Sequence, residues 1–279
     1  MERGARKHKT TIARAQTAPD VTSDRSHIAT QSLVRGLAVI RAFSGRHSSL
    51  KVSEVATLAG ITRATARRIL LTLIDVGYVV EENQRFRLSP NVLDLGYSYL
   101  SSLELSDILE PAIARLVTRV DLPCSAAVLD GEDIVIVHIL HGLTRRLLRF
   151  DTHVGTRLPA YPGAMGRVLL ASLTEAAFET YLERVRLERL TPYTVRTKRA
   201  LLAAVAQVRA VGWSVSDRER DAAVISIAVP LAGRAGRTIA ALNVSIHSTT
   251  ISAKEMVREF LPPLRVAQAE INEALRARD

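Results

Sequence analysis

Two groups of residues in this sequence have the types and spacing to do chemistry. In the first, Arg63-Ala-Thr-Ala-Arg-Arg, a helical repeat puts Arg63, Ala64, Thr65, Arg67 and Arg68 on one outward face, while Ala66, Ile69, Leu70 and Leu73 turn inward. An arginine fork can pair bidentately with guanine, a threonine hydroxyl can meet a base edge or a phosphate, and further arginines neutralise phosphates. Small Ala64 would permit close approach. The second group is suited to holding an anion. Leu158-Pro-Ala-Tyr-Pro-Gly-Ala-Met-Gly runs into a helix whose first free amides, near Gly163, Ala164 and Met165, can bind a carboxylate. Ser226, Asn243 and Ser245 stand at inward-alternating strand positions otherwise filled by apolar residues. Buried there, they need partners: a bound ligand, one another, or water. His138 and His141 lie three apart with no third ligand in view, so a structural role is expected rather than a metal. Nucleophile elbows, phosphate loops, dinucleotide fingerprints and zinc spacings find no match, and Gly233-Arg-Ala-Gly236 reads as a hairpin turn. Neither an enzyme nor a cofactor is expected.

The arginine-bearing helix needs a seat. Val52, Val55, Ala56 and Ala59 share one face of a preceding helix, Gly60 ends it, Ile61 plugs the corner, and Thr62 caps the next helix. A small residue at the crossing, a glycine four residues later and apolar contacts on the second helix make a helix-turn-helix, whose outward face enters the major groove. Upstream, a helix carries Leu33, Leu37, Ile40 and Phe43 as one apolar stripe, followed by a Ser- and Gly-rich loop at 45–50. Downstream, Gly77-Tyr-Val-Val-Glu-Glu-Asn-Gln-Arg-Phe-Arg-Leu predicts two short strands about a turn at 82–84. That is a wing, with Arg85 and Arg87 able to touch backbone or minor groove; Arg35 on the leading helix completes the candidate DNA-contact set.

Ser89-Pro90 predicts the start of a connecting helix, with Leu93, Tyr97 and Leu100 at i, i+4 and i+7. This stripe packs either on a partner subunit, the reading favoured here, or on the chain's own wing domain. Beyond it the pattern predicts helices at 108–120, 163–171, 175–184 and 198–211. Strands are predicted at 124–129, 134–139, 145–150, 213–216, 225–230 and 239–245, with an Asp130-Gly131 hairpin turn. A last helix begins near Ser252 and is interrupted by Pro262-Pro263. The expected architecture is a winged helix-turn-helix domain followed by an α+β domain with a mainly antiparallel sheet. The expected divisions are a basic arm at 1–26, a DNA-binding domain at 27–89, a linker helix at 90–105 and an effector-binding domain at 106–279.

Charge follows the same division. Residues 1–90 hold 15 Lys and Arg against 7 Asp and Glu, whereas the remaining residues hold 23 against 21. The excess positive charge thus sits where phosphates would be met. A single cysteine, Cys124, precludes an internal disulfide and fits a reducing, cytoplasmic setting. No apolar run is long enough to span a bilayer, so no membrane partner is expected. The first thirty residues read as a flexible arm, with a basic presequence the alternative.

From about His27 onward the sequence resembles the IclR family of transcription regulators. The resemblance rests on Ser32-Leu-Val-Arg-Gly-Leu-Ala-Val-Ile, the helix-turn-helix, Gly155-Thr-Arg-Leu-Pro-Ala-Tyr, Met165-Gly-Arg-Val-Leu-Leu-Ala, Ile227-Ala-Val-Pro-Leu and Asn243-Val-Ser. It implies a GAF-like effector domain and assembly as homodimers or dimers of dimers on a pseudo-palindromic site in double-stranded DNA. By the same resemblance a small carboxylate effector would contact Gly163, Ala164, Asp217, Ser226, Asn243 and Ser245. Thr144-Arg-Arg and the Gly155 segment look most like the subgroup that regulates aromatic-acid catabolism (protocatechuate, hydroxybenzoate and β-ketoadipate pathways). Two departures stand out: Ser226 replaces a frequent cysteine, and Asp217-Arg-Glu replaces a frequent acidic pair.

Overall fold

The computed structural model describes residues 30–43, 47–102, 105–142, 152–233 and 236–277. It divides into two compact units, Met1–Tyr99 and Leu100–Asp279.

The first unit holds α1 (Gln31–Ala42), α2 (Val52–Ala59) and α3 (Arg63–Asp75), then a hairpin of β1 (Val79–Glu82) and β2 (Arg85–Leu88). Gly60 takes the left-handed conformation (φ 65°, ψ 34°) that ends α2. The Ile61 N–H then donates back to the Ala56 carbonyl at 3.0 Å, the wrap-around bond of a helix stop. Thr62 caps α3 by accepting the Thr65 N–H. Val55, Ala56, Ala66, Leu70, Val79 and Phe86 close the core beneath. Asn83 and Gln84 both have positive φ, the paired left-handed turn that matches the twist of a two-residue hairpin. Leu50 and Phe86 exchange backbone bonds at 2.9 and 2.7 Å, so the segment expected to be plain loop adds a one-residue bridge to the wing.

The predicted stripe on α1 is corrected. Leu33 is 63% exposed and Leu37 44%, whereas Val39, Ala42 and Phe43 are buried. Only the C-terminal turns of α1 reach the core, so periodicity found the helix but not its buried arc. A further helix, α4 (Val92–Ser102), begins two residues later than Ser89-Pro90 suggested. Ser89 instead bridges the Gly77 carbonyl and the Asn91 N–H. The division between the two units falls inside α4.

Among the described residues the second unit holds a six-stranded antiparallel sheet in the order β5-β4-β3-β8-β7-β6. Its strands are β3 (Cys124–Asp130), β4 (Asp133–Leu140), β5 (Arg157–Pro159), β6 (Ser214–Asp217), β7 (Val224–Ala232) and β8 (Thr238–His247). One face packs on α5 (Leu105–Val120) and α9 (Ala253–Ala277). The other packs on α6 (Ala164–Ala171), α7 (Glu175–Arg184) and α8 (Lys198–Val211). The β3–β4 turn falls on Gly131 and Glu132, and β5 was not anticipated. The strand expected at 145–150, like Thr144-Arg-Arg, lies outside the described residues.

The expected break at Pro262-Pro263 does not occur, since α9 runs through both prolines. Each costs about 3 kcal/mol in a helix interior. Met256, Phe260, Pro263, Leu264, Ala267 and Ile271 are buried along the helix, and the larger apolar side chains contribute roughly 1.5–3 kcal/mol each. Burial wins.

Candidate functional site

On α3 the arginines are exposed, and no carboxylate among the described residues lies within ion-pair distance of Arg63, Arg67 or Arg68. Arg63 and Arg67 are four apart and share a face; Arg68 flanks it. Ala64 is exposed beside them. Thr65 is half-buried and tied into the cap, its hydroxyl accepting from Thr62 Oγ1 at 2.9 Å while its N–H donates to the same oxygen at 3.2 Å. Arg35 is exposed on α1.

The wing arginines are placed differently from expectation. Arg85 turns back on its own unit: its Nη2 donates to the Ser49 carbonyl at 2.6 Å, its Nε to Ser49 Oγ at 3.1 Å, and Glu54 lies 3.7 Å away. Arg85 therefore braces the wing against the preceding loop and α2. Arg87 pairs with Glu82 across the hairpin, about half exposed.

In the second unit the sheet face beneath α6 carries a polar belt. Ser125 on β3 opposes Asn243 on β8, Ser245 on β8 opposes Ser226 on β7, and Ser226 opposes Ser216 on β6. Ser125 Oγ donates to Asn243 Oδ1 at 2.6 Å, and Asn243 Nδ2 donates to Ser245 Oγ at 3.0 Å. Asn243 and Ser245 thus satisfy one another, while the Ser226 hydroxyl, on a residue 8% exposed, has no hydrogen-bond partner among the described residues. Packed on this face, α6 begins at Gly163 without a side-chain cap, and no described acceptor meets the amides of Ala164, Met165 or Gly166. These three donors stand at the positive end of the helix dipole, where a negative charge is stabilised.

The approach to α6 is held rigidly. A side chain at Gly166 would place its Cβ 1.9 Å from the Ala160 carbonyl oxygen, so only glycine lets the helix come this close. Ser216 Oγ donates to the Pro162 carbonyl at 2.7 Å, and Arg167 Nε donates to the Tyr161 carbonyl at 3.1 Å. Arg167 also pairs with buried Glu219, whose carboxylate accepts the Val195 N–H and whose carbonyl accepts from Thr194 Oγ1 at 2.6 Å. Tyr161 donates its hydroxyl to the Glu188 carbonyl at 2.6 Å, and burial raises its pKa.

Asp217 is corrected. It opposes Ile225, whose side chain lies in the α5–α9 core, so Asp217 shares that face of the sheet, away from the polar belt, and pairs with Arg218. Ser216, opposite Ser226, stands on the face of the belt instead. Sequence reasoning also missed Ser125, Arg167 and Glu219. A serine opening an apolar strand and an arginine inside an otherwise apolar helix were the available signals. His138 opposes Ala126, on the face away from the belt; burial lowers its pKa against the opposing pull of Glu110. No group of three or more potential metal ligands occurs among the described residues.

A capped helix-turn-helix with free arginines and a wing, joined to a domain with a polar belt and a helix N-terminus, defines a ligand-responsive DNA-binding transcription regulator. Comparison with known proteins gives the same class. Residues 32–83 match the IclR helix-turn-helix domain, and residues 97–273 match the C-terminal domain of bacterial IclR transcriptional regulators. The chain belongs to the IclR family, and it is a regulator rather than an enzyme. It is 39% identical over 241 residues to the Pca regulon regulatory protein of Pseudomonas putida, covering 86% of this chain and 82% of that one. A solved structure from Rhodococcus sp. RHA1 is 43% identical with a TM-score of 0.79, covering 88% of this chain and 98% of that one. An IclR homologue from Microbacterium hydrocarbonoxydans, solved with 4-hydroxybenzoate, is 25% identical with a TM-score of 0.78, covering 88% and 99%. No described helix is long and apolar enough to cross a membrane.

Proposed function

We propose that this regulator controls genes of aromatic-acid catabolism, acting in the cytoplasm as a homodimer on a pseudo-palindromic operator. Its effector is then a small aromatic carboxylate of the hydroxybenzoate class. The observation that carries the DNA side is the unpaired set Arg63, Arg67 and Arg68 on a capped helix. Ala64 and Thr65 complete the reading face, and Arg35 and Arg87 supply phosphate contacts, while Arg85 acts through the wing it braces. In this reading 1–26 is a basic arm, 27–89 reads DNA, 90–105 links, and 106–279 binds effector. The exposed Leu93 and Leu95 of α4 support a second copy as the partner that covers them.

The effector carboxylate meets the amides of Ala164, Met165 and Gly166 after Gly163, and its ring or hydroxyl reaches the belt of Ser226, Asn243 and Ser245. The hydroxyl of Ser226 is the group that most needs such a partner. The names of the Pseudomonas relative and of the hydroxybenzoate complex support the choice of ligand class.

Two measurements test the reading. Binding to the promoter region beside its own gene should weaken by roughly ten-fold or more in the Arg67→Ala/Arg68→Ala double variant, with a shallower salt dependence. Unchanged binding refutes the docking. 4-Hydroxybenzoate should raise the melting temperature, and Asn243→Ala or Ser245→Ala should blunt the rise; no shift across a panel of aromatic acids refutes the ligand class.

A further inference from the structure

A cavity of about 450 Å³ opens where α8, the edge strand β6 and the first turn of α9 meet, and it shares no lining residue with the polar belt. Its walls are chemically mixed. Trp213 and Val257 supply apolar surface, and Gln207 an amide. Ser214, 4% exposed, is part of this lining, and its hydroxyl has no hydrogen-bond partner among the described residues. Arg167, 5% exposed, uses Nε and Nη2 for the Tyr161 carbonyl and Glu219, which leaves Nη1 without a described partner.

The electrostatics point one way. Arg167 and Lys254 both line the cavity, and among the described residues no Asp or Glu does. No described carboxylate lies within ion-pair distance of Lys254, which stands in the first turn of a 25-residue helix. There Ser252 and Glu255 cap each other, and the amides of Ala253 and Lys254 have no described acceptor. Arg167 is already balanced by Glu219 and Glu255 already caps α9, so Lys254, the two N-terminal amides and a buried hydroxyl are the groups left to meet an anion. An inorganic ion needs neither an indole wall nor this volume, which falls in the range of small organic ligands.

We propose that this cavity is a second ligand site, separate from the effector site, for a small aromatic carboxylate. The carboxylate faces Lys254 and the α9 amides, and the ring lies along Trp213. Arg167 sits on α6, the helix whose first turn carries the effector proposal. Occupancy here therefore changes effector affinity, and by linkage the effector changes affinity here. That coupling rests on the proposed function; the existence of the cavity site does not.

Trp213 is the chain's single tryptophan, so its fluorescence reports on this cavity. Benzoate added to the full-length protein should change that fluorescence saturably. Lys254 is exposed, so Lys254→Glu should fold normally while raising the half-saturation concentration about ten-fold or more. Asn243→Ala should leave a saturable Trp213 response in place even if it abolishes the thermal shift with 4-hydroxybenzoate. A thermal shift that survives Asn243→Ala would count against the effector site alone. Three results overturn the cavity site. One is no saturable change. Another is a change that Asn243→Ala removes and Lys254→Glu does not. The third is a response to extended peptides but not to benzoate, which would make the β6 edge a strand-docking surface.

Discussion

Replacing Gly166 by alanine adds one methyl group at the closest approach found at any described glycine. The new Cβ would stand 1.9 Å from the Ala160 carbonyl oxygen and 2.5 Å from its C and Cα atoms. All three are backbone atoms, so no side chain can swing aside. Restoring even a tight contact of 3.0 Å requires α6 and the Ala160 segment to part by about 1 Å. Overpacking of this kind costs about 1–3 kcal/mol, which for a unit of this size lowers the melting temperature by roughly 2–12 °C. The same movement displaces the amides of Ala164, Met165 and Gly166 relative to the belt. Effector affinity should therefore fall about ten-fold or more, as expected for losing a charge-assisted hydrogen bond. Gly163→Ala is the control, because its φ of −107° suits any residue and its Cβ would meet nothing within 4 Å. Thermal unfolding with and without 4-hydroxybenzoate, on both variants, decides the matter. A Gly166→Ala protein with wild-type melting temperature and ligand shift would refute the claim that this approach sets the effector geometry.

Three further outcomes are expected. Thr62→Ala removes the cap of α3 and should lower the stability of the first unit by about 1 kcal/mol, read by urea unfolding, and weaken DNA binding through fraying of the turn that bears Arg63. Glu219→Gln leaves Arg167 buried without its counter-charge and should cost the second unit about 3–5 kcal/mol, seen as a large drop in its unfolding midpoint. Burial holds the folded-state pKa of His138 below its unfolded value, so the unfolded chain binds the extra proton. Stability from this residue is complete above the unfolded pKa near 6.5 and declines as pH falls from there toward the folded value. Urea unfolding at pH 8 and pH 5.5 should show a smaller acid loss in His138→Phe than in the wild type, and an equal loss would remove His138 as a cause.

The DNA-reading half is legible because its determinants are local. A glycine that must be left-handed, a threonine cap and apolar residues at helical spacing lie within 22 residues of one another, between Val52 and Leu73. The bounds of α2 and α3 follow from them. What sequence misjudged there depends on tertiary neighbours: Leu33 and Leu37 repeat correctly but lie beyond the reach of the core, and Arg85 finds Ser49 across 36 residues of chain. In the effector unit Ser226, Asn243 and Ser245 were visible as polar exceptions in apolar strands. Ser125 and Ser216 join them only through cross-strand register, which no single strand encodes. Asp217 shows the cost of a one-residue error, because adjacent strand positions face opposite sides. The prolines of α9 misled because propensity is local while the burial that overrides it is not.

Arg85's grip on Ser49, together with the Leu50–Phe86 bridge, clamps the wing to the segment that precedes α2. Hairpin and reading helix thereby form one packed tool, with Val79 and Phe86 in the same core as Ala66 and Leu70. A signal from effector binding is then expected to carry that tool as a whole, a consequence that rests on the proposed function. On the proposed homodimer, the bases each reader contacts would then stay the same, and the spacing between the two readers on the duplex is what the ligand would adjust.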